Sequence, residues 1–110
     1  GRAVFLTSGV AHMGRAYWGP YAASKAALEL LARTYASECA TTSVRTNLFS
    51  PGPTRTRMYA SAFPGIDPLT LPTAEDVAKE MLPLCLPECS ETGRLYSFRE
   101  KKFLDFHTPA

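Results

Sequence analysis

Two short strand-like segments bracket a stretch of strong helix formers, and that order leaves few folds open. Ala3-Val4-Phe5-Leu6-Thr7 is continuous and β-prone, without polar alternation. Such a run suits a strand buried on both faces, as in a parallel sheet. Ser43 to Ser50 reads as a second strand, with Val44, Leu48 and Phe49 as expected core, stopped by Pro51-Gly52-Pro53. Between them, Tyr21 to about Cys39 is rich in Ala, Leu, Lys and Glu, and Pro20 suits the first turn of a helix. Leu28, Leu31, Ala32, Tyr35 and Cys39 recur at helical spacing and predict one apolar stripe. Ala23, Ala26, Ala27 and Leu30 predict a second, small-residue surface open to a partner subunit.

The rest of the chain continues the alternation. Val10 to Gly19 reads as a loop. Arg55 to Leu71, with Pro64-Gly65 and Asp67-Pro68, reads as a mobile loop holding one short helix. Thr73-Ala74-Glu75-Asp76 after Pro72 fits a capped helix start. Val77, Met81, Leu82 and Cys85 then mark a helix ending before Pro87. Thr92-Gly93 turns into a third strand, Arg94 to Phe98. Strand, helix, strand, helix, strand predicts βαβ units and a doubly wound α/β parallel sheet over residues 1–110.

Composition narrows the function. The 110 residues carry a net charge of +2 and are 45% hydrophobic, as in an ordinary globular domain. The charge is too small and scattered to argue for nucleic acid. Arg99-Glu100-Lys101-Lys102, the densest basic stretch, reads as a solvated tail. No apolar run approaches the ~18 residues of a membrane span. The N-terminus opens into a strand and not a basic-then-apolar leader, so the chain reads as part of a longer one. Cys39, Cys85 and Cys89 form no zinc-like set, and no metal is expected. They read as buried free thiols in a reducing, cytoplasmic compartment. His12 and His107 are far apart, and His12 reads as a polar loop residue.

The chemistry concentrates at Ser8, Tyr21, Lys25 and Pro51-Gly52. Tyr21 and Lys25 are four residues apart, which places both on one helix face about 5–6 Å apart at Cβ. A free phenol titrates near ~10, so proton exchange near neutral pH requires roughly 4 kcal/mol in favour of the phenolate. An ammonium ~6 Å away at an effective dielectric of ~20 supplies about 3 kcal/mol of that. Ser8 ends the first strand thirteen residues before Tyr21.

These residues resemble the short-chain dehydrogenases/reductases. In that family a Ser ends one strand, Tyr-x-x-x-Lys follows on the next helix, and Pro-Gly ends the next strand. The wording Tyr21-Ala22-Ala23-Ser24-Lys25-Ala26-Ala27 is typical of it. The resemblance covers nearly the whole chain, but only the second half of the family's Rossmann-like domain. It implies an oxidoreductase moving a hydride between NAD or NADP and a small-molecule carbonyl or alcohol. Tyr21 is then the proton donor or acceptor, and Ser8 bonds the same oxygen. Lys25 supports Tyr21 and holds the nicotinamide ribose. Pro51 and Gly52 admit the nicotinamide, with Thr54 and Thr56 at its carboxamide. Gly9, Val10 and Met58 stand with Ser8 on the substrate side. Homodimers or homotetramers through the Tyr21–Cys39 helix are implied, with no membrane and no nucleic-acid partner.

Some alternatives stay open on the residues alone. Thr54 and Thr56 also suit plain turn positions, and Met58, Tyr59 and Phe63 suit either a substrate lid or a loop tucked on the core. Ser24 reads as packing, and Arg55 and Arg57 as solvated, with a substrate carboxylate or a cofactor phosphate as their other reading. The family's Gly-rich pyrophosphate turn, its upstream Asn and its NAD/NADP-sorting residue have no counterpart in this sequence. Where a Gly-Gly pair is common near the end, Arg99-Glu100-Lys101-Lys102 stands. The expected chain therefore carries the acid/base half of a site and by itself turns over no substrate. The competing reading is a non-catalytic interaction module of the same fold.

Overall fold

The second strand is the centre of the sheet, and its sequence explains why. In the computed structural model, which describes residues 1–106, β2 (Arg45–Ser50) pairs with β1 (Arg2–Leu6) on one side and β3 (Leu95–Ser97) on the other, both parallel. A fourth strand, β4 (Lys102–Leu104), closes the far side antiparallel to β3. Thr46, Asn47, Leu48 and Phe49 are all buried. Successive strand residues face opposite sides. Leu48 packs with Leu95 and with Ala32 of α1 (Gly19–Glu38). Phe49 packs with Val77 of α3 (Ala74–Met81) and with Leu84 of the 3-10 turn after it. The sheet is thus covered on both faces, and burying Leu48 and Phe49 stabilises it by about 1.5–3 kcal/mol each. This is the doubly wound arrangement expected from the sequence.

Local chemistry sets the element ends. Pro20 lies in the first turn of α1. The Thr73 side chain caps α3 by accepting from the Asp76 N–H at 3.1 Å. The Asn47 amide holds the β2–β3 approach, donating to Glu91 O and accepting from the Arg94 N–H.

Several expectations need correction. The apolar stripe on α1 is partly rotated: Ala32 is buried and Leu28 and Cys39 are half-buried as expected, but Leu31 and Tyr35 face solvent and Glu29 and Ala36 are buried in their place. Small side chains let the helix lie close to the sheet, and the larger ones turn outward. Residues 10–19 are not all loop, since Gly9–His12 form a 3-10 turn. The helix expected to reach Cys85 ends as α3 at Met81 and runs into a 3-10 turn at Leu82–Cys85, where Leu84 is buried while Leu82 and Cys85 are exposed. Arg99 to Lys102 is no tail. It forms the β3–β4 turn, with Lys101 at φ 56°. The Lys101 ammonium sits 3.3 Å from the Phe98 ring centroid and 3.4 Å from Glu80 Oε1, which holds that backbone in place.

The segment from Arg55 to Leu71 contains α2 (Arg57–Ala62) and a 3-10 turn at Pro68–Thr70. Arg55 is not simply solvated, because its guanidinium donates to Pro68 O and Leu71 O and closes this excursion. No helix among the described residues is long and apolar enough to cross a membrane. No cluster of three or more metal-ligating side chains occurs among them either. His107 lies outside the described residues.

The Tyr96 hydroxyl donates to Glu80 Oε2 at 2.7 Å. Burial, then the Glu80 carboxylate, push the Tyr96 phenol up to about 12. The same bond, helped by Lys101, holds the Glu80 carboxyl below the usual range. A raised phenol contributes stability that is full below about pH 10 and lost as pH climbs towards 12; a lowered carboxyl contributes stability present above about pH 4.3 and lost as pH falls through its folded value. Wild type should therefore exceed Tyr96→Phe in stability by a constant margin between about pH 5 and 9 and lose that margin on both sides. Urea unfolding across pH checks this, and a margin independent of pH would contradict it.

Candidate active site

β1 and β2 run parallel, so their carboxyl ends open on the same edge of the sheet, where α/β proteins place their ligands. β1 ends at Leu6, and the Thr7 N–H donates to Phe49 O at 2.9 Å, tying its exit to β2. Ser8 is extended and caps the Gly9–His12 turn, its Oγ accepting from the Val10 N–H at 3.4 Å. That bond uses a lone pair and leaves the hydroxyl proton free to donate.

α1 brings Tyr21 and Lys25 to this edge. The Lys25 ammonium donates to Leu6 O at 3.3 Å, two residues before Ser8. It lies 5.8 Å from the centroid of the Tyr21 ring. The fourfold spacing read in the sequence thus puts phenol and cation together, beside the strand end that Ser8 leaves. Ser24 points elsewhere and donates to Tyr21 O within the helix.

Pro51 and Gly52 follow β2 at the same edge. Gly52 has φ 68°, and no atom lies within 4 Å of where a Cβ would stand. The turn therefore needs glycine for its backbone conformation, and it presents an open face to an approaching planar group. Thr54 Oγ1 donates back to Gly52 O at 3.1 Å. Thr56 caps α2, its Oγ1 accepting from the Tyr59 N–H at 3.1 Å. Both threonines are thus engaged in local structure, although the Thr56 hydroxyl proton stays free.

The substrate-side residues divide. Gly9 and Met58 are exposed, Met58 by 72%. The Val10 side chain is buried, so at this edge Val10 has its backbone to offer. Tyr59 and Phe63 stack with ring centroids 4.7 Å apart, and Phe63 stacks on Trp18 at 5.6 Å. Trp18 in turn meets the Tyr21 ring edge-on at 5.8 Å. The excursion after β2 is therefore packed against the start of α1, next to Tyr21.

Trp18 and Glu29 are site neighbours that the sequence reading passed over. Both carry a signal in their spacing: Trp18 lies three residues before Tyr21, and Glu29 four after Lys25, on the same helix face. Glu29 is 4% exposed and takes the Thr7 hydroxyl and, at 2.8 Å, His12 Nε2. His12 is accordingly a partner of a buried carboxylate and not a free loop residue.

A model of the family described as short chain dehydrogenase matches residues 1–67. The chain belongs to this family. The match covers Ser8, Tyr21, Lys25 and the Pro51-to-Thr56 turn, and it is narrower than the nearly whole-chain resemblance expected, lying in the N-terminal part of this chain. The uncharacterized oxidoreductase YciK of Escherichia coli K12 is 48% identical over 77 residues, 70% of this chain and 30% of that protein. The NADPH-dependent aldehyde reductase 2 of Arabidopsis thaliana, chloroplastic, is 37% identical over 59 residues, 54% of this chain and 22% of that one. A solved short chain dehydrogenase structure from Escherichia coli CFT073, complexed with NADPH, superposes with a TM-score of 0.75 at 42% identity, covering 88% of this chain and 40% of its own. The chain therefore spans well under half the length of each of these relatives.

The Gly52 geometry makes a direct prediction. Gly52→Ala meets no steric neighbour but forces an L-residue into the left-handed region, so it should destabilise by about 1–2 kcal/mol. Gly52→Asn should cost less, because Asn tolerates that region. Chemical denaturation of the three proteins compares them, and equal losses for Ala and Asn would contradict the backbone argument.

Proposed function

We propose that the chain is the acid/base half of an NAD(P)-dependent oxidoreductase acting on a small-molecule carbonyl or alcohol. The observation that carries this is the Lys25 ammonium, 5.8 Å from the Tyr21 ring and bonded to the end of the strand from which Ser8 emerges. The NADPH-bound relative supports a nicotinamide dinucleotide as cofactor, and the aldehyde reductase supports a carbonyl substrate.

The residues present fit the nicotinamide end of such a cofactor. Gly52 offers an open backbone face, and Lys25 has ammonium protons beyond the one given to Leu6. They do not provide for the pyrophosphate, since no Gly-rich turn joins a strand to a helix among residues 1–106. The small share of each relative that the chain spans agrees with its being the C-terminal half of the family's domain, the other half supplying the phosphate site. Bound NAD(P)H supplies the hydride, and the protein supplies orientation and the proton. Ser8 donates a hydrogen bond to the carbonyl oxygen and fixes its place. Tyr21 gives its hydroxyl proton to that oxygen, or takes one from an alcohol in the reverse direction. The Lys25 charge stabilises the phenolate left behind and holds the ribose hydroxyls.

A second observation concerns association. Ala23, Ala26, Ala27 and Leu30 all face solvent on α1, with Leu31 and Tyr35 beside them. An apolar stripe of this kind supports pairing of two copies through this helix. That surface also keeps the interaction-module reading in view.

In the full-length protein, Tyr21→Phe removes the transferable proton but keeps the ring. We expect kcat to fall by about 10²–10⁴ while nucleotide binding is retained. Near-normal turnover by that variant would remove Tyr21 as the proton donor. Lys25→Ala should lower kcat and weaken nucleotide binding together, because one ammonium serves both roles. Lys25→Arg should not restore either, since a planar fork does not replace a compact charge. Steady-state kinetics with a fluorescence titration of NADPH separate the two effects, and full recovery in Lys25→Arg would contradict the assignment.

A further inference from the structure

The turn that carries Ser8 is attached to α1 at three points. Lys25 Nζ holds Leu6 O before the turn. The Thr7 hydroxyl donates to Glu29 Oε2, immediately before Ser8. His12 Nε2 lies 2.8 Å from Glu29 Oε1, at the far end of the turn. One carboxylate therefore grips both ends of the segment from Thr7 to His12, one partner on each oxygen. Glu29 and Thr7 are each 4% exposed. A buried carboxylate without partners is costly, so the site is stable only when both grips are made. Glu29 also completes the series Tyr21, Lys25, Glu29 at a spacing of four on one face of α1.

We propose that Glu29 is a positioning residue, clamping the Ser8 turn to the helix face that carries Tyr21 and Lys25. The role rests on the oxidoreductase reading above, because it fixes Ser8 relative to Tyr21. Glu29 touches neither substrate nor cofactor. It acts by holding two groups from different elements in one register, where a displacement near 1 Å costs up to about 10² in rate. Within the turn, Ala11 N–H donates to Ser8 O at 3.1 Å, and two longer bonds join Met13 N–H to Val10 O and Val10 N–H to Ser8 Oγ, both at 3.4 Å. The Thr7 N–H holds the entry of the turn to β2 through Phe49 O at 2.9 Å, and the rest of its placement comes from the attachment to α1.

The test combines amide exchange and kinetics on the full-length protein. Thr7→Val keeps shape but removes one grip, Glu29→Gln keeps size but removes the charge, and Thr7→Ser keeps the hydroxyl. In Thr7→Val and Glu29→Gln, exchange at the Val10, Ala11 and Met13 amides should accelerate about tenfold or more, with Leu48 and Phe98 unchanged. Carbonyl reduction should lose about tenfold or more in kcat, with the nucleotide KM held within about twofold. Thr7→Ser should match wild type in both. Exchange that stays unchanged at the turn, or rises equally at Leu48 and Phe98, would overturn the clamp and leave Glu29 a general stability residue. So would a loosened turn with undiminished kcat. Turnover retained in Tyr21→Phe would instead bring down the oxidoreductase reading, while the exchange pattern would still report on the clamp.

Discussion

The rotation of α1 about its own axis is the constraint on which the site depends. Tyr21 and Lys25 face the strand ends only because the helix lies on the sheet through Ala32 and Ala36, with Glu29 and Lys25 following on the same side. A rotation large enough to bury Leu31 and Tyr35 instead would carry the phenol and the ammonium away from Leu6 and Ser8. Two kinds of contact set this rotation. Close packing against Leu48 favours small side chains, because dense interiors leave no room for a bulky row at a helix–sheet contact. Polar contacts from Lys25 to Leu6 O and from Glu29 to Thr7 and His12 then select one of the rotations that packing would tolerate.

This explains which parts of the molecule were legible in the sequence. β2 was, since a β-prone run ended by Pro51-Gly52 has one sensible reading, and so were Pro20 at the start of α1 and the Thr73 cap. The buried face of α1 was not. Hydropathy ranks Leu31 above Ala36 and Glu29, and only the fit to the sheet reverses that order. β4 was hidden for a related reason. Lys101 and Lys102 read as solvated, yet one sits in a left-handed turn over Phe98 and the other starts a strand whose Phe103 packs on Tyr96. Charge marks where a side chain ends, and says little about a backbone that pairs beneath it.

The placement of the proposed acid/base residues was legible in the sequence, and their surroundings less so. Ser8, Tyr21, Lys25 and Gly52 lie where strand order and helical spacing put them, at the carboxyl ends of two parallel neighbours. Val10 turned inward, and Thr54 and Thr56 proved to be bonded within their own turn and helix cap. The aromatic chain from Tyr59 through Phe63 and Trp18 to Tyr21 crosses three segments, so no local pattern announces it. Arg15 lies over the Trp18 and Phe63 rings at 4.6 and 5.0 Å and covers that contact from solvent.

The most direct measurement is a crystal structure of the full-length protein with a nicotinamide dinucleotide and a carbonyl-bearing inhibitor. The account predicts the inhibitor oxygen within about 2.5–3.2 Å of both Tyr21 Oη and Ser8 Oγ, with Lys25 Nζ at the nicotinamide ribose and the ring lying along Pro51-Gly52. A nicotinamide ring bound away from the ends of β1 and β2, or an inhibitor oxygen held by other groups, would contradict it.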